Sequence, residues 1–137
     1  EFNARFGDPE AQAVLPLLHT DLVEIVEAVI DRRLDEISVE WASMESCCVV
    51  MASGGYPEKY QKGYEITGLS DVKTLVFHAG TRLEDKRIVT NGGRVLAVTA
   101  VAEHLEDAID AAYREVSKIQ FRDRHFRTDI GHRVVVR

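Results

Sequence analysis

Arg87-Ile88-Val89-Thr90-Asn91-Gly92-Gly93-Arg94-Val95-Leu96-Ala97-Val98-Thr99-Ala100-Val101 holds two runs of β-branched and aliphatic residues separated by an Asn-Gly-Gly break. Runs of this kind bounded by turn residues read as strands, here over 87–90 and 94–101. Downstream, Leu105, Ala108, Ile109, Ala112, Tyr113, Val116 and Ile119 recur at the 3.6-residue period, which predicts one amphipathic helix packed on the sheet. Upstream, the polar turn Glu84-Asp85-Lys86 joins 87–90 to a strand expected over 75–83, and another strand is expected over 47–52. Between them, 53–68 is a turn-rich loop containing Gly54-Gly55-Tyr56-Pro57 and ending in Glu65-Ile66-Thr67-Gly68. The tail from Phe126 is mixed, with a last strand expected over 134–136. The fold class is α+β.

Before about Ser43 the texture differs, and this marks a boundary between residues 1–42 and 43–137. Glu1-Phe2-Asn3-Ala4-Arg5-Phe6 alternates polar and apolar, the period of a half-buried strand. Gly7 permits a turn, Asp8 suits a helix N-cap and Pro9 suits the first helical position, with Pro16 limiting the length of that helix. Asp21 and Glu24 stand at capping-box spacing ahead of Leu22, Ile25, Val26, Val29 and Ile30, so a second helix is expected to run to about Leu34. The chain opens on Glu1 and not on methionine, and it reads as the interior of a longer polypeptide. No internal repeat or low-complexity segment is present.

With 137 residues, 45% of them hydrophobic, the chain can bury a modest core. A formal charge of −6 and the lack of any Lys/Arg run argue against a surface that tracks nucleic-acid phosphates. No stretch approaches the ~20 apolar residues of a membrane helix. Cys47 and Cys48 are adjacent and on a strand would face opposite sides. With no histidine at ligand spacing, they read as buried, reduced thiols in a reducing compartment.

On the alternating amino-terminal strand, Glu1 and Asn3 would offer two hard oxygen donors roughly 6.6 Å apart, at about 3.3 Å per residue. Magnesium accepts so sparse a pair and fills its other positions with water and substrate phosphates. Arg5 on the same face could meet an anion beside that metal. A solvated strand face with three ordinary polar residues accounts for the same pattern. His78 in its apolar strand reads as a hydrogen-bonded core or edge histidine, Trp41 as an anchor between the two parts of the chain, and Asp129 and His132 as structural.

Beyond these spacings, Glu1-x-Asn3-x-Arg5 resembles the last strand of an ATP-grasp active site. Arg5-Phe6-Gly7-Asp8-Pro9-Glu10-Ala11-Gln12 is similar to the signature of phosphoribosylamine-glycine ligases. Gly55-Tyr56-Pro57, Phe77-His78-Ala79-Gly80-Thr81, Thr90-Asn91-Gly92-Gly93-Arg94-Val95-Leu96-Ala97-Val98-Thr99-Ala100 and Arg127-Thr128-Asp129-Ile130-Gly131-His132-Arg133 follow in that family's order and spacing. Two departures are mild: Lys86 follows Asp85 where the family usually has glycine, and His104 stands where a hydroxyl usually caps the last helix.

The resemblance implies that residues 1–42 end an ATP-grasp domain and that 43–137 form a small barrel-sandwich hybrid domain. It implies a cytoplasmic ligase of purine biosynthesis that joins glycine to 5-phosphoribosylamine with ATP as co-substrate and Mg2+ or Mn2+ as the metal. Its remaining amino-terminal domains would lie upstream in the same polypeptide, and neither nucleic acid nor membrane would be a partner. Glu1 and Asn3 would ligate the metal, Arg5 and Asp8 would orient substrate groups, and Arg94 with Gly92 and Gly93 would bind the phosphate of phosphoribosylamine. Another ATP-grasp ligase, a carboxylase subunit, or a non-catalytic binding module of the same fold are the alternatives.

Overall fold

The computed structural model of the chain describes residues 4–135. Among them are the helices α1 (Glu10–Val14), α2 (Leu22–Ile30), α3 (Leu105–Lys118) and α4 (His132–Val135). The strands are β1 (Glu45–Ala52), β2 (Leu75–His78), β3 (Thr81–Glu84), β4 (Arg87–Thr90) and β5 (Arg94–Ala102), and short 3-10 turns span Leu15–Leu17, Leu34–Glu36 and Leu69–Asp71. β5 is the centre of an antiparallel sheet ordered β1-β5-β2, and β3 pairs with β4 as a separate hairpin. The result is a small mixed α/β unit with two sheets and one packed helix, in line with the α+β expectation.

β5 is covered on both faces. Leu96, Val98 and Ala100, with Val49 and Met51 of β1, pack against Ala108, Ile109, Ala112 and Val116 of α3, the stripe that the 3.6 period marks. On the other face Thr99 Oγ1 donates to Gln12 O at 3.0 Å and Ser46 Oγ to Ala13 O at 2.8 Å, which hold α1 across the sheet. Cys47 lies on the α3 side within the core while Cys48 lies opposite Thr99, so the adjacent thiols face opposite ways as expected.

α3 also carries a charge into the interior. Glu115 is 3% exposed. Its carboxylate accepts from Lys73 N–H at 2.7 Å and from Lys118 Nζ at 2.7 and 2.8 Å, and Lys118 Nζ donates further to Asp71 O at 3.1 Å. The helix thereby holds the Leu69–Asp71 turn. The Lys118 ammonium first, and the Lys73 amide second, keep the Glu115 carboxyl below its ordinary pKa, against the opposing effect of burial.

Several local expectations are corrected. Residues 4–6 form a bend and an open stretch, with Phe6 exposed, and no described strand lies beside them to supply the ladder a strand needs. The start of that expected strand lies outside the described residues. α1 begins after Pro9 with no side-chain cap, because the Asp8 carboxylate is engaged elsewhere. α2 does take Asp21 as its cap, the carboxylate accepting from Val23 N–H at 2.8 Å. It ends at Ile30 and not near Leu34, because Arg32 adopts a left-handed φ of 58°. Arg33 N–H then bonds Ala28 O at 2.9 Å and Arg32 N–H bonds Val29 O at 3.2 Å, the paired bonds of a Schellman stop.

The strand expected over 75–83 is two strands, split at Ala79-Gly80, where the chain leaves β5 for β4. Residues 134–135 belong to the helical turn α4, where a strand was expected. Trp41 bridges Leu18 through its backbone, and its side chain is half exposed.

Two outcomes are expected of this core. Leu96→Ala, at a fully buried position, should cost about 2–5 kcal/mol in denaturant unfolding. A carboxyl with a lowered folded pKa stabilises above its unfolded value, near 4.3, and that contribution disappears as pH falls through the folded pKa. Glu115→Gln should therefore flatten the fall of Tm below about pH 4.3. Superimposable acid limbs for parent and variant would remove Glu115 from the acid-sensitive groups.

Candidate functional site

The residues of interest gather where β4 turns into β5. β1 and β5 pair regularly from Glu45↔Ala102 to Met51↔Leu96, and then Ala52 pairs with Arg94, leaving Val95 as an extra residue. Cross-strand partners share a face. In a regular strand Arg94 would lie with Leu96 and Val98 against α3, where an unpaired guanidinium would be costly to bury. The irregularity instead carries it to the α1 face.

There Arg94 meets Asp8. Nη1 donates to Asp8 O at 2.7 Å and Nη2 to Asp8 Oδ2 at 2.9 Å, while Asp8 Oδ1 accepts from Gln12 Nε2 at 3.0 Å. The Asp8 and Arg94 side chains are 54% and 38% exposed, so water screens the pair. Two elements far apart in sequence, the loop before α1 and the first residue of β5, are thus joined at one point.

The loop before Arg94 is packed backbone to backbone. A Cβ added at Gly80 would stand 2.6 Å from Gly92 Cα and 2.5 Å from Arg94 O. One added at Gly93 would strike the ring of Tyr56. Only glycine allows these approaches. Gly55-Tyr56-Pro57 and the Gly80 strand end, which the sequence offers only as parts of a resemblance, therefore wall this loop. Ser53, which sequence reasoning left inside a turn-rich segment, is buried and donates to it. Its signal was the neighbouring Gly54-Gly55 pair, which, like Gly92-Gly93, marks a close backbone approach.

The remaining expected site residues are Glu1, Asn3 and Arg5. Glu1 and Asn3 lie outside the described residues. Arg5 is exposed and its Nη1 donates to the neighbouring Phe6 O at 2.9 Å. Among the described residues no group of three or more His, Cys, Asp or Glu could hold a metal ion. His78 Nδ1 is paired with Thr81 Oγ1 at 3.0 Å, Asp129 with Arg127, and the His132 ring lies 6.5 Å from that of Tyr113.

Burial, and then the neighbouring Cys48, push the Cys47 thiol up to about 11. Burial raises Cys48 too, against a hydrogen bond with Thr99. Neither is the thiolate that nucleophilic or metal-binding chemistry requires at neutral pH. A cavity of about 540 Å³ lined by Glu45, Glu103, His104 and Glu106 lies at the other end of the β1–β5 pair. Its carboxylates make it a poor phosphate site.

The described residues thus form a sheet-and-helix unit with a glycine-walled loop and an arginine at its mouth. The family described as phosphoribosylglycinamide synthetase, C domain, matches residues 46–133, and the chain belongs to that family. The chain is 50% identical over 132 residues to a phosphoribosylamine–glycine ligase of Caldanaerobacter subterraneus subsp. tengcongensis, covering 96% of this chain and 32% of that protein. It is 52% identical over 139 aligned positions to the trifunctional purine biosynthetic protein adenosine-3 of Gallus gallus, covering 98% of this chain and 14% of that one. The crystal structure of a phosphoribosylamine–glycine ligase from Thermotoga maritima superposes with a TM-score of 0.76 at 33% identity, over 94% of this chain and 32% of that one. The chain thus spans about a third of the length of the single-function ligases it matches.

The Asp8–Arg94 contact can be measured. A double-mutant cycle of Asp8→Ala and Arg94→Ala should give a coupling of about 0.2–1 kcal/mol at low ionic strength, shrinking with added salt. Additive single variants at low salt would show that the pair does not join the two elements.

Proposed function

We propose that this chain is the carboxy-terminal part of an ATP-dependent ligase of purine biosynthesis that joins glycine to 5-phosphoribosylamine. ATP is cleaved to ADP and phosphate and glycinamide ribonucleotide is formed. The observation that carries the reading is half-identity to a phosphoribosylamine–glycine ligase along 96% of the chain. In this reading residues 1–42 complete an ATP-grasp domain, 43–137 form a barrel-sandwich hybrid domain, and the remaining domains belong to the same cytoplasmic polypeptide.

The surface of α2 supports that division. Val23, Val26, Val29 and Ile30 are 63, 48, 55 and 73% exposed, an apolar face that the described residues leave bare. α2 also precedes the region matched by the C-domain family. A helix so apolar is stable when another layer covers it, and the rest of an ATP-grasp domain would be that layer. No helix among the described residues is long and apolar enough to cross a membrane.

The chemistry needs positioning more than a protein nucleophile. ATP phosphorylates the glycine carboxylate, and the amine of phosphoribosylamine attacks the acyl phosphate. The protonated state of Cys47 and Cys48 agrees with a route that uses neither. Glu1 and Asn3 are the carboxylate and amide oxygens suited to Mg2+ or Mn2+, which when bound would neutralise charge on the ATP phosphates.

Arg94 is assigned to the substrate phosphate, with Gly92 and Gly93 allowing the close approach. Its guanidinium has five N–H donors. Asp8 engages only one on each terminal nitrogen, so the fork is oriented and still has donors to offer. Asp8 in this arrangement orients the arginine, and Arg5 stands on the same segment to help place substrate groups.

The 137-residue chain alone should show no micromolar binding in calorimetric titration with magnesium-ATP. A dissociation constant near 1 μM, about −8 kcal/mol, would overturn the division of domains. In the complete polypeptide Glu1→Ala should lower turnover about 100-fold, about 2.7 kcal/mol, while shifting stability by no more than about 0.5 kcal/mol. Arg94→Ala should weaken use of phosphoribosylamine about 10- to 100-fold, the loss of a charged hydrogen bond, with ATP and glycine dependence unchanged. Three unchanged substrate constants in Arg94→Ala would return the arginine to a structural role.

A further inference from the structure

Residues 92–94 are held by their carbonyl groups. Ser53 Oγ donates to Gly92 O at 2.8 Å, Ser53 N–H to Gly93 O at 2.8 Å, and Gly80 N–H to Arg94 O at 2.8 Å. By contrast, the N–H groups of Gly92 and Gly93 donate to none of the described residues. In a trans peptide the carbonyl of one residue and the N–H of the next point in opposite directions across a rigid plane. By taking the carbonyls of Gly92 and Gly93, Ser53 therefore turns the N–H groups of Gly93 and Arg94 away from itself.

Ser53 is 3% exposed, too buried to reach a substrate, and both of its bonds into the loop are made from inside. The Tyr56 ring against Gly93 closes the same side. The Gly93 amide, left without a partner among the described residues beside the Arg94 guanidinium, favours an anion.

We infer that Ser53 is a positioning residue for phosphate recognition: it locks peptide 92–93 so that the Gly93 amide faces the phosphate monoester of the amine substrate beside Arg94. This rests on the assignment of Arg94 to that phosphate. Ser53 takes no part in bond making. Removing its hydroxyl frees the Gly92 carbonyl to rotate and misdirects the Gly93 amide.

The test is steady-state kinetics of the complete polypeptide with Ser53→Ala, Ser53→Thr, Ser53→Cys and Arg94→Ala, together with competitive inhibition by inorganic phosphate. Ser53→Ala should raise the KM for phosphoribosylamine and the inhibition constant of phosphate in parallel, by about 3- to 10-fold, the size of one neutral hydrogen bond. The kcat and the KM values for ATP and glycine should stay within about twofold of the parent, and Ser53→Thr, which keeps the hydroxyl, should restore the parent values.

If Ser53→Ala does not fold, the weaker thiol donor of Ser53→Cys should show the same split. An unchanged amine KM in the folded Ser53 variant, with a raised one in Arg94→Ala, overturns the positioning role and leaves the phosphate site standing. An unchanged amine KM in Arg94→Ala overturns the phosphate site and the inference with it. Loss spread equally over all substrates in Ser53→Ala marks the serine as structural only and also overturns the inference.

Discussion

β5 is hydrogen-bonded along both edges, by β1 and β2, and covered on both faces, by α3 and α1. A strand in that position has no solvent side to absorb error, so its register decides where every neighbour lies. The single extra residue at Val95 is tolerated because it comes at the strand's first turn of pairing, where the sheet ends. Its effect is large for its size: it separates an apolar stretch that seals the core from an arginine that must remain wet, within two residues.

From that one displacement the rest of the site follows. Arg94 leaves the core face and finds Asp8, and Asp8 is consequently unable to serve as the cap of α1. The helix starts a residue later and is held through Thr99 and Ser46 to its backbone carbonyls. Thus a short helix with no buried residue of its own and no cap is kept in place by side chains of the sheet. The polar contacts across this face are modest individually, which suits an interface between two parts of a longer protein, such as the ligase proposed here.

The two sides of the sheet differ in chemistry for a physical reason. The α3 side is dry and apolar, and the charge buried there, Glu115, is matched by an ammonium and an amide. The α1 side has hydroxyls and a guanidinium that donate to backbone carbonyls, together with a thiol and a carboxylate. Recognition of a phosphorylated substrate, as proposed for Arg94 and its loop, is compatible only with the second.

The period of Leu105 to Ile119 and the glycine-bounded runs at 47–52, 87–90 and 94–101 determined the helix, three strands and the α+β class, because burial on one face imposes those spacings directly on the residues. The Asp21 cap was equally legible, being a contact between residues two apart. The end of α2, the break in the 75–83 run and the helical turn at 134–135 were not: the first rests on a left-handed arginine that no residue type in the sequence marks, and the second on a change of strand partner distant in the chain. The motifs at Arg5 to Gln12 and Thr90 to Ala100 named Asp8, Gly92, Gly93 and Arg94, but their spacing carried no sign that Asp8 and Arg94 touch. That meeting, and the hold of Ser53 on the glycine loop, were decided by the tertiary structure alone. An irregularity in strand register is set by how two strands pack against a common core, and no local pattern within either strand encodes it.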